Sequence, residues 1–293
     1  MTTESINPDT ANLDSLETIE LVRALADDQL SAVAAVQRAA PQLAEAVNRV
    51  AERLSHGGRL LYAGAGTSGR LAYLDSSELT PTFSWPSDRV GVAMAGGRGA
   101  VFQAVEGAED DRSMGRQDMI ALNVSNLDAV IGIAASGGTP YVLGALEAAR
   151  SVGALTVGFS NNADAAVLSA CDCPVLLETG AEVISGSTRL KAGTAQKIAL
   201  NTLSSAVMVR LGKVYGNLMV DLQATNLKLK KRAVRLTQLA TDANETDATT
   251  ALEASDWQVK TAIVMLRRNV DAVSARAVLD QHAGSVRGAL QDR

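Results

Sequence analysis

Cysteine and histidine are scarce, with two of each in 293 residues. That excludes a disulfide framework and any site built only from several Cys and His ligands. The two thiols, Cys171 and Cys173, form C-x-C and not the redox C-x-x-C, so they read as reduced thiols near a strand start. Aromatic residues make up only 3%, so the core must come mainly from Ala, Val, Leu and Ile. No basic surplus exists: the net charge is −5, which argues against a dedicated nucleic-acid binder. No uninterrupted apolar run reaches membrane length. The stretch 129–146 is uncharged, yet Ser136-Gly137-Gly138-Thr139-Pro140 sits in its middle. A spanning helix of about 20 residues would not carry a polar turn there. The opening MTTESINPDTANLDSLE has neither a basic start nor an apolar centre, so it does not read as a signal peptide. A reducing cytoplasm is the expected setting.

What is present is ordinary in amount. Hydrophobic residues are 47% and charged residues 20%, close to soluble globular averages. The length suits one large domain or two smaller ones. With His and Cys so few, acid–base chemistry would fall to carboxylates, hydroxyls or Lys.

Residues 1–56 read as helical. Leu21, Val22 and Leu25 share one face, and Val33, Val36, Ala40 and Leu43 form another stripe. From residue 59 the rhythm changes to short apolar runs that end in Gly- or Ser-rich turns. These are RLLYA (59–63), VGVAMA (90–95), AVIGIAA (129–135) and LTVGF (155–159), with a weaker fifth at 175–177. Helical patterns separate most of them, which indicates βαβ units and a parallel sheet. Loops at the carboxyl ends of such strands gather along one edge, where ligands bind in open α/β sheets. The expected division is a helical segment 1–56, an α/β domain 57–220, a connecting helix 221–240 and a small helical bundle 241–293. The basic cluster Lys228, Lys230, Lys231, Arg232 and Arg235 reads as a solvated helix face.

Three turns carry hydroxyls. Gly64-Ala65-Gly66-Thr67-Ser68-Gly69 is formally G-x-G-x-x-G between a strand and a helix. Such a turn aims amides and a helix N-terminus at an anion. A nicotinamide site also wants an acid at the second strand end, about 20 residues on. Here that strand ends Ala95-Gly96-Gly97-Arg98, leaving only Arg98 to face a 2′-phosphate. Ser136, Gly137 and Thr139 repeat the theme, and Ser185-Gly186-Ser187-Thr188-Arg189 does so again. One such turn alone reads as a helix N-cap. Three on strand ends point to a phosphate or sugar-phosphate pocket, since hydrogen bonds to charged groups are the stronger kind.

The segments LLYAGAGTSGRLAYLDSSE, VEGAED, GIAASGGTPYV and GAEVISGSTRLKAGTAQK resemble the N-acetylmuramic acid 6-phosphate etherase family. That family belongs to the sugar-isomerase (SIS) group of phosphosugar-binding domains and is related to glucokinase regulatory protein. The likeness continues through GNLMVDLQATN to DQHAGSVR, so it covers almost the whole chain. One departure is Ala283, where the family commonly has Gly. The resemblance implies a three-layer α/β/α sandwich around a mainly parallel five-stranded sheet, with N-terminal helices and a C-terminal helical bundle. It implies a cytoplasmic homodimer without cofactor or metal. Its substrate would be a small sugar phosphate, with no nucleic acid or membrane as partner. The implied reaction turns N-acetylmuramic acid 6-phosphate into N-acetylglucosamine 6-phosphate and D-lactate.

An alkyl ether resists direct hydrolysis because an alkoxide leaves badly. With the sugar ring open, the C2 proton is acidified by the C1 aldehyde, and elimination of lactate becomes accessible. Water then adds at C3. Two proton-handling groups are needed, each contributing about 10²–10⁴-fold when well placed. The resemblance assigns them to Glu78 (acid to the lactyl oxygen, base to water) and Glu109 (base at C2). The residue pattern by itself does not select these two over Asp75, Glu106, Asp110 or Asp111. An acid of ordinary pKa is ionised at neutral pH, so burial of at least one glutamate is expected. The implied binding residues are Gly66, Thr67, Ser68, Ser136, Gly137, Thr139, Ser185, Ser187 and Lys191. Three other readings compete: a non-catalytic sugar-phosphate regulator, an aldose–ketose phosphosugar isomerase, and a dinucleotide oxidoreductase.

Overall fold

A computed structural model describes residues 2–291. Three helices come first: α1 (Thr18–Asp28), α2 (Leu30–Arg38) and α3 (Ala40–Ser55). The α/β part follows as β1 (Leu60–Gly64), α4 (Gly66–Phe83), β2 (Val90–Met94), α5 (Arg112–Ala121), β3 (Ala129–Ile133), α6 (Pro140–Ser151), β4 (Leu155–Ser160), α7 (Ala166–Ser169) and β5 (Cys173–Leu176). Six more helices follow among the described residues: α8 (Lys191–Arg210), α9 (Leu227–Thr241), α10 (Glu245–Ala254), α11 (Val259–Arg268), α12 (Ala272–Gln281) and, last, α13 (Val286–Gln291).

The five strands form one parallel sheet in the order β2-β1-β3-β4-β5. β1, β3 and β4 are buried at every residue, which is why they read as continuous apolar runs. α3 packs on β3, β4 and β5, and α6 on β1, β3 and β4, so the central strands are covered twice. The fold is therefore the α/β arrangement expected from the strand–helix alternation. Strand order reverses between β1 and β3, and this switch point is where a doubly wound sheet opens a crevice beyond its strand ends. The starts of β1 and β3 are pinned from below. Asp128, almost fully buried, accepts from the Arg59 amide (2.8 Å), the Arg59 guanidinium (2.7 Å) and the Ser125 amide (2.8 Å).

The chain divides into two compact units. One comprises Met1–Ser76 with Asp88–Ser204, and the other Ser77–Ser87 with Ser205–Arg293. The first has its core between sheet and helices, including Leu61, Val130, Tyr141, Leu146 and Val167. The second is all-helical, with Leu252, Val259, Ile263, Ala275 and Val286 at its centre. On α9 the charged residues Lys228, Lys231, Arg232 and Arg235 are exposed while Ala233, Thr237 and Ala240 are buried. Lys230 lies 4.5 Å from the centroid of the Trp257 ring. Among the described residues no helix is long and apolar enough to cross a membrane.

Candidate functional site

The turn after β1 is tight: a Cβ on Gly64 would meet the Gly69 amide at 2.7 Å, so strand and helix approach there without side chains between them. Gly66 takes φ +51° and opens α4. Of the two hydroxyls that follow, Thr67 sits half-buried at the rim and Ser68 turns inward. Ser68 Oγ donates to Gln196 Oε1 on α8 at 2.8 Å, and Gln196 Nε2 donates to Asn161 Oδ1 at 3.0 Å.

After β3, Gly137 (φ +73°) lies so close to the end of β4 that a Cβ would stand 2.4 Å from Ser160 Oγ. Any side chain would push the turn off the sheet. Ser136 Oγ accepts from the Gly138 amide at 3.3 Å. Thr139 occupies the N-cap position of α6, but its side chain makes no capping bond. The bland explanation for that hydroxyl, an N-cap, is thus not realised.

In the third turn Ser185 and Gly186 are exposed and Ser187 is half-buried. Ser185 Oγ accepts from the Asn7 amide at 3.2 Å. Lys191 begins α8 and is buried, and its ammonium pairs with Asp28 of α1 at 2.7 Å. Its charge already has a partner inside the protein. Glu182, fully buried, accepts from the amides of Lys191 (3.1 Å) and Ala192 (2.9 Å), so it caps α8. Burial pushes the Glu182 carboxyl up, and those two amides only partly pull it back.

The two glutamates fall on different kinds of structure. Glu109 lies in a single 3-10 turn, Ala108–Asp110, entered through Gly107 in the left-handed region. It lines a cleft of about 310 Å³ with Gly66, Arg70, Met94 and Glu106. The structure therefore joins the first hydroxyl turn and Glu109 at the ends of β1 and β2. Glu78 is on the part of α4 that belongs to the second unit. Both glutamates are exposed in the single chain, where the sequence had called for burial of at least one. Ser136 and Gly137 open into a second cleft of about 340 Å³ with Asn162, Asp164 and Glu178. Ser185 borders a third, about 560 Å³, whose wall includes Ile6, Leu13 and Leu21.

A further cleft of about 740 Å³ lies within the second unit, beside Asp221, Trp257, Lys260 and Arg276. Most of its charges are paired internally: Lys213 and Lys260 bracket Asp221 Oδ2 at 2.7 and 2.8 Å, and Arg276 pairs with Asp256 at 2.8 Å. None of the sequence-predicted residues lines it.

Sequence reasoning named Asp75 among the candidate carboxylates but missed the buried polar network it belongs to. Asp75, 8% exposed, accepts from Tyr62 Oη (2.8 Å) and Ser204 Oγ (3.0 Å). Burial raises its carboxyl above the usual range, against the pull of those two bonds and of Lys197. The signal was present in α8, where Gln196 and Ser204 interrupt an apolar helix and are both buried.

Fold and turns together define an SIS-type α/β protein with glycine- and hydroxyl-bearing turns beyond its strand ends. Residues 42–150 match the model of the glucokinase regulatory protein N-terminal SIS domain. A solved phosphoheptose isomerase from Francisella tularensis shares the fold at a TM-score of 0.51 and 18% identity, covering 66% of this chain and 98% of that one. The sequence is more specific. It is 59% identical to N-acetylmuramic acid 6-phosphate etherase of Deinococcus radiodurans over 98% of this chain and 94% of that protein. It is 48% identical to the protein of that name from Edwardsiella ictaluri, over 100% and 98%. The chain belongs to the N-acetylmuramic acid 6-phosphate etherase family.

Proposed function

We propose that the chain is a carbon–oxygen lyase that converts N-acetylmuramic acid 6-phosphate into N-acetylglucosamine 6-phosphate and D-lactate, in amino-sugar recycling. The observation that carries this is near-full-length identity of 59% to a protein of that name. Glu109 beside Gly66 in one cleft supports its place next to the first turn.

In the proposed reaction the phosphate is held far from the reacting carbons, where remote binding supplies orientation. Thr67, Ser136, Thr139 and Ser187 supply hydroxyls, and Gly66 and Gly137 shape the turns. Ser68, Ser185 and Lys191 hold the loops through Gln196, Asn7 and Asp28. Glu109 takes the C2 proton of the open-chain sugar, and Glu78 gives a proton to the lactyl oxygen as the C3–O bond breaks. The conjugated alkene then accepts water at C3, with Glu78 as base and the proton returned at C2 from Glu109. The burial that an acidic glutamate requires comes with substrate and with a second subunit. A homodimer is part of this reading. Its support is an apolar face on the N-terminal helices, where Ile19, Val22, Leu30 and Val33 are 58, 55, 70 and 45% exposed. The cytoplasm, where sugar phosphates and reduced thiols coexist, is the proposed location.

The test is purified protein with N-acetylmuramic acid 6-phosphate, scored for lactate. Release by the wild type, with Glu78→Gln retaining substrate binding but losing turnover, supports the reading. Sugar-phosphate binding without release contradicts it and favours a regulator.

A further inference from the structure

The end of β4, Ser160-Asn161-Asn162, is connected to all three hydroxyl turns. These side chains are 0, 0 and 4% exposed. Ser160 lies against Gly137 of the second turn. Asn161 accepts from Gln196, which in turn accepts from Ser68 of the first turn. Its own amide donates to Leu177 O at 2.8 Å and to Thr179 Oγ1 at 3.4 Å, tying in the end of β5. Asn162 Nδ2 donates to Ala135 O (3.0 Å) and Ser136 O (3.3 Å), gripping the backbone that enters the second turn.

Asn162 has another partner, far away in sequence. Its Nδ2 donates to Thr3 Oγ1 at 2.9 Å, and its Oδ1 accepts from the Thr3 amide at 3.2 Å. Thr3 is 0% exposed. The segment that follows is tied twice more, both times to the approach of the third turn. The Asn7 amide donates to Ser185 Oγ at 3.2 Å, and Thr10 Oγ1 donates to Val183 O at 2.9 Å. A strap of eight residues, Thr3 to Thr10, thus runs from the second turn to the third.

We infer that Asn162 and Thr3 are positioning residues for the phosphate site, and that the strap sets the turn at Ser136 against the turn at Ser185. The inference rests on the reading of these turns as the sugar-phosphate cradle. Donors converging on one phosphate must be held to a fraction of an ångström, and a displacement of about 1 Å costs on the order of 10²-fold. Neither Asn162 nor Thr3 has to touch the substrate to exert that control. Asn162 fixes the carbonyls behind Ser136, and Thr3 carries the constraint to Ser185.

The decisive variant is Thr3→Val. It keeps shape and the amide bond to Asn162, removes one hydroxyl, and lies outside the sheet, so folding is spared. Removal of one hydrogen bond of ordinary strength corresponds to about fivefold in affinity. The Kd for inorganic phosphate, measured by calorimetry, and the KM for N-acetylmuramic acid 6-phosphate should rise together by about that factor. The pH profile of kcat should stay where it is, and Thr3→Ser should restore both constants. Unchanged phosphate affinity in Thr3→Val would overturn the inference, as would a loss that Thr3→Ser does not rescue. Phosphate binding is read independently of lactate release, so a wild type that binds phosphate but releases no lactate sinks the etherase reading while leaving this test intact.

Discussion

Ser68 and Gln196 form a buried hydrogen bond of 2.8 Å between the first turn of α4 and α8. Because Gln196 also donates to Asn161, one side chain couples the end of β1 to the end of β4 across the switch point of the sheet. Gln196→Leu fills similar space but leaves the Ser68 hydroxyl and the Asn161 carbonyl oxygen without this partner. Each orphaned buried group costs about 1–3 kcal/mol. The expected loss, read by urea denaturation, is about 2–6 kcal/mol, with a rise in KM. Wild-type stability in this variant would show that the pair does not hold the turn.

Asp128 makes stability depend on acid. Burial pushes its carboxyl up, but the Arg59 guanidinium and the amides of Arg59 and Ser125 win and hold it below the usual carboxylate range. A lowered folded-state pKa adds stability above the unfolded-state value, near 3.9, and that stability is lost as pH falls through the folded-state value. Wild-type stability should therefore fall in acid below about pH 4. Asp128→Asn strands a partly exposed guanidinium, for which about 2–3 kcal/mol at pH 7 is the discounted cost. Its difference from wild type should shrink as the pH falls. Chemical denaturation at stepped pH gives both numbers.

The thiols should be sluggish. Burial pushes the Cys171 thiol up to about 11, and Cys173 is raised by the same cause. The thiolate is the reactive form, so alkylation at pH 7.5 should be slow in the folded protein and fast in denaturant. Rapid labelling of Cys171 in the native state would contradict its placement.

Ala283 adopts φ +50°, in the left-handed region. That region costs an L-residue with a Cβ about 1 kcal/mol, whereas Gly enters it freely. Ala283→Gly should stabilise the protein by up to about 1 kcal/mol, seen as a raised Tm. A lowered Tm would mean that unfolded-state entropy outweighs the relief of strain.

The sheet was legible because doubly covered parallel strands must be apolar throughout and must end in turn residues. RLLYA, AVIGIAA and LTVGF, whose strands are buried at every residue, show this directly. The hydroxyl turns were legible for the same reason: glycine at a positive φ, such as Gly137, leaves a mark in sequence. The layer behind the turns was not. Asn161 and Asn162 look like ordinary loop polars until the fold places them beneath Ser68 and Ser136. Thr3 was invisible, because its partner lies 159 residues away and no local pattern connects the two. Lys191 looked like a phosphate ligand beside a hydroxyl turn, and only α1 supplies the Asp28 that pairs with it.

Elimination followed by hydration is the centre of the proposed chemistry, and oxygen labelling tests it. N-acetylmuramic acid 6-phosphate is turned over in ¹⁸O-water, and both products are weighed by mass spectrometry. The proposed mechanism breaks the sugar C3–O bond, so label should appear in the C3 hydroxyl of N-acetylglucosamine 6-phosphate and be absent from the lactate hydroxyl. Label in the lactate hydroxyl, with none at C3, would contradict it.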